Sequence, residues 1–104
     1  MSANIALTEA VYYILLSVFS PMHGYGIMQN VSGLTGGRVN LAAGTLYGAI
    51  STMLEKDWIR ALPSEINSRK KEYEITDIGK HIVESELNRL QELLDNGGNI
   101  LRRV

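Results

Sequence analysis

Near the end of the chain, large apolar residues recur at steps of four, three and four, which places them in one line along a helix. The line consists of Val83, Leu87, Leu90 and Leu94, with Ile82 and Leu93 beside it. A repeat of this kind is typical of a helix that packs lengthwise against another helix. The last helix therefore needs a second apolar surface to pack against, and any fold of this chain has to provide one.

The first helical segment also has apolar surface that must be buried. Thr8 is its predicted N-cap, and Ser20-Pro21 ends it because the residue before a proline is driven out of the helical region. Two apolar stripes run along it, formed by Leu7, Val11, Ile14, Leu15 and Val18 and by Tyr12, Leu16 and Phe19. A domain of only 104 residues can hardly supply cover for both stripes by itself.

Between these two segments the sequence predicts two further helices. The second helix covers 24–32 and stops at Gly33, a normal left-handed terminator. The third helix covers 44–56, and its spacing indicates a buried face of Leu46, Ile50, Met53 and Leu54. The alternating residues 38–41 between the two helices predict a very short strand.

A β-hairpin follows the third helix. Its predicted strands are 59–62 and 71–75, and the polar loop 63–70 joins them. Thr76 then caps the last helix, which the run Asn96-Gly97-Gly98 is expected to break, leaving a short tail. Three helices followed by a hairpin predict a mainly α fold with a small β-hairpin, of the winged helix-turn-helix type. We expect the winged helix-turn-helix to cover 1–75. A dimerisation helix and tail over 76–104 belong to the same structural unit.

The outward face of the predicted third helix is small and uncharged until its last two residues, which is unusual for a face that only meets water. Thr45, Ser51 and Thr52 carry hydroxyls that can hydrogen-bond base edges in the major groove, and Ala49 can contact a thymine methyl. Spacing alone is equally compatible with an ordinary exposed helix face. The hairpin that follows favours the DNA-binding interpretation.

Charge is segregated along a chain whose formal net charge is only −1. Residues 60–71 carry four bases and one acid, whereas 72–95 carry seven acids and two bases. The run Arg69-Lys70-Lys71 lies where the hairpin loop returns, and cations there can follow DNA phosphates. Such a run is more often a solvated turn. It indicates DNA binding only because it follows the third helix, in the returning half of the hairpin.

Two tyrosines lie near helix N-termini, where a hydroxyl can reach a phosphate oxygen beside backbone N–H groups. For Tyr25, on the second helix, the favoured interpretation is a half-buried core residue, whereas Tyr47, on the third, is the better candidate for DNA contact. His23 precedes the second helix and is expected to cap it, and His81 has no second candidate metal ligand near it in the sequence.

Other functional classes find little support. The sequence contains no nucleophile elbow, zinc-protease motif, phosphate loop or dinucleotide fingerprint, so neither an enzyme nor a cofactor or metal site is predicted. The absence of cysteine is compatible with a reducing compartment, and no apolar run reaches the roughly 20 residues of a membrane span. With no secretory start, the expected location is the cytoplasm, without membrane association.

Four segments in order carry a family resemblance: M-H-G-Y-G-I-M at 22–28, G-T-L-Y-G-A-I at 44–50, D-W-I at 57–59 and Y-E-I-T-D-I-G-K at 73–80. From about Thr8 to about Lys80 the chain resembles the PadR family of bacterial transcriptional regulators, and its short last helix resembles the compact subgroup. The resemblance implies a homodimer in which each last helix packs against the partner's last and first helices. It also implies repression from a partly palindromic operator, which a small-molecule effector can relieve.

Three positions depart from the usual pattern of that family. Gly26 stands where Glu is usual, Gly48 stands where proline is common, and Asp57 replaces the usual glycine after the third helix. A left-handed Asp57 costs about 1 kcal/mol more than glycine. Some relatives hold flat aromatic molecules between their last helices, but this chain has no aromatic residue after Tyr73, so that mode of effector binding is not expected.

The sequence thus predicts a homodimeric regulator that binds double-stranded DNA. The candidate DNA-binding residues are Tyr25, Gly44, Thr45, Tyr47, Ser51, Thr52, Arg69, Lys70 and Lys71, and the resemblance places Gly44, Thr45 and Tyr47 at the front of the recognition helix. The candidate dimer-interface residues are Tyr12, Leu16, Ile82, Val83, Leu87, Leu90 and Leu94. Two alternatives stay open, a winged-helix module that binds another protein and a small ligand-binding sensor that does not contact DNA.

Overall fold

The computed structural model of the protein describes residues 6–63 and 71–103. Within them the elements follow in the order α1 (Glu9–Ser17), β1 (Met22–His23), α2 (Gly24–Leu34), α3 (Ala43–Glu55), β2 (Ile59–Ala61), β3 (Glu72–Ile75) and α4 (Asp77–Arg102). The predicted mainly α class with a small hairpin is confirmed. Helix α4 starts at Asp77, and one hydrophobic core joins it to the elements before it.

Side chains cap three of the helices where the sequence predicts it. The Thr8 hydroxyl accepts a hydrogen bond from the Val11 N–H, and the Thr76 hydroxyl accepts one from the Gly79 N–H. His23 Nδ1 accepts from the Gly26 N–H at 3.1 Å, so this histidine caps α2 as expected. These bonds satisfy backbone donors that have no partner within the first turn of a helix.

The three strands form one antiparallel sheet in the order β1-β3-β2. In the hairpin, Ile59 lies opposite Ile75 and Ala61 lies opposite Tyr73, which confirms the predicted pair with each strand one residue shorter. On the other side of β3, Met22 lies opposite Tyr73. Strand β1 was not predicted, because two residues are too few to show an alternating pattern.

The connection from α2 to α3 differs from the prediction at both of its ends. Helix α2 runs through Gly33, which was the predicted terminator, and the left-handed positions come later, at Gly36 and Gly37 with φ of 61° and 83°. The strand predicted at 38–41 is not formed. Arg38 instead pairs with the carboxylate of Glu9 at the start of α1, which draws this segment against the helix rather than along the sheet.

Helix α4 passes through Asn96-Gly97-Gly98, where the sequence analysis expected it to break, and reaches Arg102. Neither glycine adopts a positive φ, so neither one ends the helix. Two interior glycines cost about 2 kcal/mol relative to alanine, but extending an established helix costs far less than starting a new one. Residues 99–102, which were predicted to lie in a tail, therefore form the last turn of α4.

One hydrophobic core joins all the helices to the sheet. Its buried members are Ile14, Leu15, Val18, Ile27, Val31, Leu46, Ile50, Met53, Ile59, Tyr73, Ile75 and Val83. Val83 is the member that α4 supplies, whereas the sequence analysis placed it at the dimer interface. Its side chain is covered within the protomer, because the first turns of α4 pack on the core before the helix leaves it.

A buried acid lies at the contact between α1 and α4. Glu86 is only 5% exposed, although the sequence analysis placed the acidic residues of α4 on its solvent face. Arg89 donates to both carboxylate oxygens of Glu86 at 2.9 and 2.6 Å, and the Leu7 N–H donates to Oε1 at 3.4 Å. The hydrogen bonds from Arg89 hold the pKa of Glu86 below its usual value, against the opposing effect of burial.

The first turn of α4 lies directly against the backbone that follows α3. The Thr76 hydroxyl is within hydrogen-bond distance of the Asp57 and Trp58 carbonyl oxygens, at 2.5 and 3.0 Å. A Cβ placed on Gly79 would lie 2.1 Å from the same Trp58 oxygen. Asp57 itself has a φ of 58°, which confirms the predicted left-handed conformation. Glycine at position 79 is thus what permits this close approach.

We expect Gly79→Ala to lower the free energy of unfolding by about 1–3 kcal/mol, because the added methyl meets a backbone oxygen that cannot move away cheaply. Gly33→Ala is the matched control, since a Cβ there meets nothing within 4 Å and α2 gains up to about 1 kcal/mol of helix propensity. Urea unfolding measures both. Equal effects of the two substitutions would contradict the proposed role of Gly79.

Candidate nucleic-acid interface

Helix α3 has one face in the core and one face open to solvent. Leu46, Ile50 and Met53 are buried on the inner side. The predicted DNA-contact residues of this helix are all exposed on the outer side, namely Gly44, Thr45, Tyr47, Ser51 and Thr52, and the neighbouring Gly48 is exposed with them. The structure therefore brings together on one surface the α3 residues that the sequence analysis selected.

This outer face is rich in hydroxyls and has two positions without a side chain, Gly44 and Gly48. A Cβ added at Gly44 or Gly48 would meet nothing within 4 Å, so a neighbouring surface can approach the helix closely. The Thr52 hydroxyl donates to the Gly48 carbonyl at 3.3 Å within the helix. Among the described residues, no hydrogen bond engages the hydroxyls of Thr45 and Ser51. Those two hydroxyls are available to an external acceptor or donor.

Tyr47 packs its ring over the N-terminus of α2. A Cβ on Gly24 would lie 2.2 Å from the Tyr47 hydroxyl oxygen. The ring therefore occupies the space that any larger residue at position 24 would fill. Burial, together with the neighbouring Tyr47, raises the pKa of Tyr73 beneath it. Tyr47 still exposes 47% of its surface, on the edge of the α3 outer face.

Tyr25 is 63% exposed at the second position of α2. The favoured interpretation of this tyrosine as a half-buried core residue is therefore wrong. Tyr25 instead follows the buried Gly24 on the outer side of the first turn of α2. Its side chain is accessible near the same helix end that Tyr47 covers.

The hairpin presents one of its three predicted cations within the described residues. Lys71 is exposed just before β3, whereas Arg69 and Lys70 lie outside the described residues. Arg60 forms an ion pair with Glu74 on the neighbouring strand. Its Nε and Nη2 donate to Oε1 of Glu74 at 3.2 and 2.7 Å. No ion pair within 6–63 and 71–103 involves Lys71, so its charge is open to an external anion.

The residues predicted for the dimer interface fall into two groups besides the buried Val83. Tyr12, Leu16 and Ile82 are partly buried and pack against the protomer's own core. Leu87, Leu90 and Leu94 are exposed along α4. The exposed line also continues into Ile100 and Leu101, which the sequence analysis missed because it expected the helix to end before them.

Other kinds of site find no support in the part of the chain that the structure describes. No group of three or more histidine, cysteine, aspartate or glutamate side chains is placed to hold a metal ion there. His81 lies 3.9 Å from Glu84 on the exposed surface of α4. None of the described helices combines the length and the apolar character needed to cross a membrane.

We expect Gly24→Ala to cost about 1 kcal/mol of stability, less than a clash with backbone, because its methyl would overlap the Tyr47 hydroxyl at the outer end of a half-exposed side chain that can move aside. In a Tyr47→Ala background the same substitution should cost less than about 0.5 kcal/mol, since the clash is gone. Thermal unfolding of the four proteins of this double-mutant cycle measures the coupling. Additive effects would show that Tyr47 does not rest on Gly24.

A sequence model of the transcriptional regulator PadR-like family matches residues 13–85, which include α2, α3, the hairpin and the start of α4. No protein with a curated description matches the chain. Among solved structures, a transcriptional regulator from Clostridium thermocellum aligns with a TM-score of 0.74 and 24% identity over 86% of each chain. The family-model match covers α3 and the hairpin together.

Two further structures bear on the fold. A PadR family transcription regulator from Clostridium difficile has a TM-score of 0.70 and 22% identity, covering 88% of this chain and 97% of that one. Bacillus subtilis PadR in complex with operator DNA has a TM-score of 0.64 and 22% identity, covering 76% of this chain but 46% of that one. The likeness establishes the winged-helix fold. With most of its length matched by the family model, the chain belongs to the PadR-like family of transcriptional regulators.

Proposed function

We propose that the protein is a homodimeric repressor that binds double-stranded DNA by sequence. The observation that carries the proposal is the outer face of α3, where exposed hydroxyls and two glycines form an uncharged surface beside a hairpin. Because phosphate contacts hold a protein on DNA without reading sequence, the absence of charge on this face favours contact with base edges. The family membership supports regulation as the biological role.

In this proposal α3 enters the major groove. Thr45 and Ser51 would donate to or accept from base edges, and the absence of side chains at Gly44 and Gly48 would let the helix backbone approach closely. Tyr47 and Tyr25 would place hydroxyls near phosphates at the rim of the groove. The operator complex of the Bacillus subtilis protein, which shares the fold, supports DNA as the partner of this architecture.

The hairpin would supply the electrostatic part of binding. Lys71, with Arg69 and Lys70 from the predicted basic run, would follow phosphates beside the site of α3. Two subunits related by a twofold axis would then meet successive major grooves about 34 Å apart, which predicts a partly palindromic operator. The exposed apolar line of α4 supports such a dimer, because a monomer would leave it in water.

Relief by a small molecule is the regulatory part of the proposal. A groove of about 500 Å³ lies between the end of α1 and the start of α4, and Phe19, Lys80 and Leu87 contribute to its walls. This volume is in the range of small-molecule sites. A ligand there would contact the first half of α4, from Asp77 to Leu87, together with Phe19 after α1. As a regulator of genes, the protein would act in the cytoplasm.

The two alternatives make different predictions for a binding assay. A winged-helix module for another protein, or a sensor acting on another regulator, would show no affinity for any duplex at low salt. Selection of bound sequences from a random duplex pool therefore tests the proposal and yields the operator at the same time. An enriched palindromic motif would support it, and failure to retain any duplex would overturn it.

We expect the double substitution Lys70→Ala and Lys71→Ala to weaken binding to all duplexes and to flatten its salt dependence, by about one unit of slope for each of these lysines that binds a phosphate. Arg103→Ala is the control, because this exposed arginine follows the last turn of α4, at the opposite end of that helix from the hairpin. A salt titration of the dissociation constant measures both variants. An unchanged slope in the double variant would remove the hairpin from DNA binding.

We expect Thr45→Val and Ser51→Ala to change which bases are preferred, by about fivefold for each hydroxyl that hydrogen-bonds a base edge. Ser20→Ala, an exposed serine in the turn after α1, should leave the preference unchanged. Competition between operator variants that differ at single positions measures the effect. A uniform fall in affinity across all operator variants would argue against base recognition by α3.

A further inference from the structure

His23 lies where the sheet and α2 meet. It is the last residue of β1, where it pairs with Glu72 of β3, and α2 begins at the next residue, Gly24. Its side chain is partly buried. A change of charge at His23 therefore acts at a junction between the hairpin and the helix that precedes α3.

The cap that His23 makes requires a neutral ring. Nδ1 accepts a hydrogen bond from the Gly26 N–H at 3.1 Å, so this nitrogen carries no proton and the proton of the ring is on Nε2. An imidazolium has a proton on both nitrogens and accepts no hydrogen bond. Protonation of His23 therefore breaks the cap and leaves two donors facing each other. The positive end of the α2 dipole also opposes the charged ring.

Helix α2 has less support at its start than the other two capped helices. Thr8 and Thr76 cap α1 and α4 with hydroxyls, and each of these helices has an acidic residue in its first turn. Helix α2 has no acidic residue there, and its first turn contains Gly24 and Gly26. Glycine is the poorest helix former after proline. The first turn of α2 therefore depends strongly on the cap from His23.

Two tyrosines of the candidate nucleic-acid interface depend on this turn. Tyr25 is its exposed second residue. Tyr47 of α3 packs over Gly24, where a Cβ would lie 2.2 Å from the tyrosine hydroxyl oxygen. Both Gly24 and Tyr25 lie between the capping histidine and Gly26, the donor of the cap. If the turn frays, Tyr25 moves with it and Tyr47 loses the surface on which its ring packs.

We propose that His23 is a positioning residue that makes DNA binding sensitive to pH, an inference that rests on the proposed function. In its neutral form His23 caps α2 and holds Tyr25 and Tyr47 where they meet phosphates. When it gains a proton the cap opens, the first turn of α2 frays and the affinity for duplex falls. Histidine ordinarily gains its proton between about pH 5 and 8, a range that acid stress can reach.

The charged and titratable groups on the neighbouring elements act on His23 in different directions. Glu72, opposite it on β3, favours the charged ring, but no ion pair joins the two among the described residues. Lys71, which precedes Glu72, has the opposite effect, as does the dipole of α2. Tyr25 on α2 and Tyr47 on α3 have hydroxyls, and tyrosine is uncharged in this pH range. The cap therefore decides in favour of the neutral form.

Three variants separate the cap from the proton. His23→Asn keeps a cap at every pH, because asparagine is among the best N-cap residues and does not titrate. His23→Ala has neither a cap nor a titrating group. His81→Asn is the matched control, since His81 is the other histidine of the chain and is exposed on α4. Asparagine and histidine have similar helix propensities, so this control costs little stability.

Measurements on the protein alone test the cap without DNA. At about pH 8, the nitrogen NMR spectrum should show Nδ1 of His23 without a proton and Nε2 with one. Between about pH 8 and pH 5.5, the equilibrium constant for folding from urea titrations should fall by up to about fivefold, the size of a lost N-cap. His81→Asn should follow the wild type, and His23→Asn should stay within about twofold.

The chosen pH range keeps other buried or paired acids out of the result. Hydrogen bonds from arginines hold the pKa of Glu9 and the pKa of Glu86 below the usual value, so both carboxylates stay ionised throughout it. A neutral ring with its proton on Nδ1 would overturn the cap. So would an equal dependence on pH in the wild type and in His23→Asn.

Duplex binding at the same two pH values tests the control of affinity, with the sequence selected from the random pool as the probe. The wild type and His81→Asn should bind up to about fivefold more weakly at the lower pH, His23→Asn should bind equally at both, and His23→Ala should bind weakly at both. Tighter binding of the wild type at the lower pH would overturn the proposal. Failure to bind any duplex at either pH would overturn the proposed function and the control of binding with it, whereas the NMR result would still decide the cap.

Discussion

The contact between the first turn of α4 and the backbone after α3 fixes how the parts of this molecule are oriented. The Thr76 hydroxyl reaches the carbonyls of Asp57 and Trp58 and also accepts the Gly79 N–H, and Gly79 has no side chain to hold the helix away. The direction of α4 is therefore set relative to the end of α3. Because α4 also carries the exposed apolar line of Leu87, Leu90 and Leu94, any dimer built on it would place the two copies of α3 in a defined relation.

The sequence was sufficient wherever structure depends on near neighbours. The caps at Thr8, His23 and Thr76, the inner face of α3 and the hairpin all follow from spacing over a few residues, and the structure has them. The left-handed Asp57 was also predictable, because the position just after a helix usually takes that conformation. For the same reason the exposed α3 residues of the candidate site could be selected before any fold was known.

The errors come from positions where distant contacts decide. The strand β1 exists because β3 pairs with it, and nothing in two residues indicates that pairing. Glu86 was assigned to solvent by its charge, yet Arg89 one turn later and the distant Leu7 N–H satisfy its carboxylate inside the structure. Gly97 and Gly98 resemble a terminator in sequence, but a glycine ends a helix only when its φ turns positive, and here it does not.

The distribution of charge explains why the proposed site would depend on shape and hydroxyls more than on electrostatic attraction. Arg38 and Arg60 are engaged by Glu9 and Glu74, and Lys56 lies 5.4 Å from the Trp58 ring centroid. Among the basic residues that the structure describes from α1 to β3, Lys71 is the one that neither an ion pair nor a ring contact engages, in a chain whose net charge is −1. Weak attraction to any duplex lowers the competition from random DNA. Discrimination between sequences would then fall to the close fit of α3 in the groove, which the glycines at 44 and 48 permit.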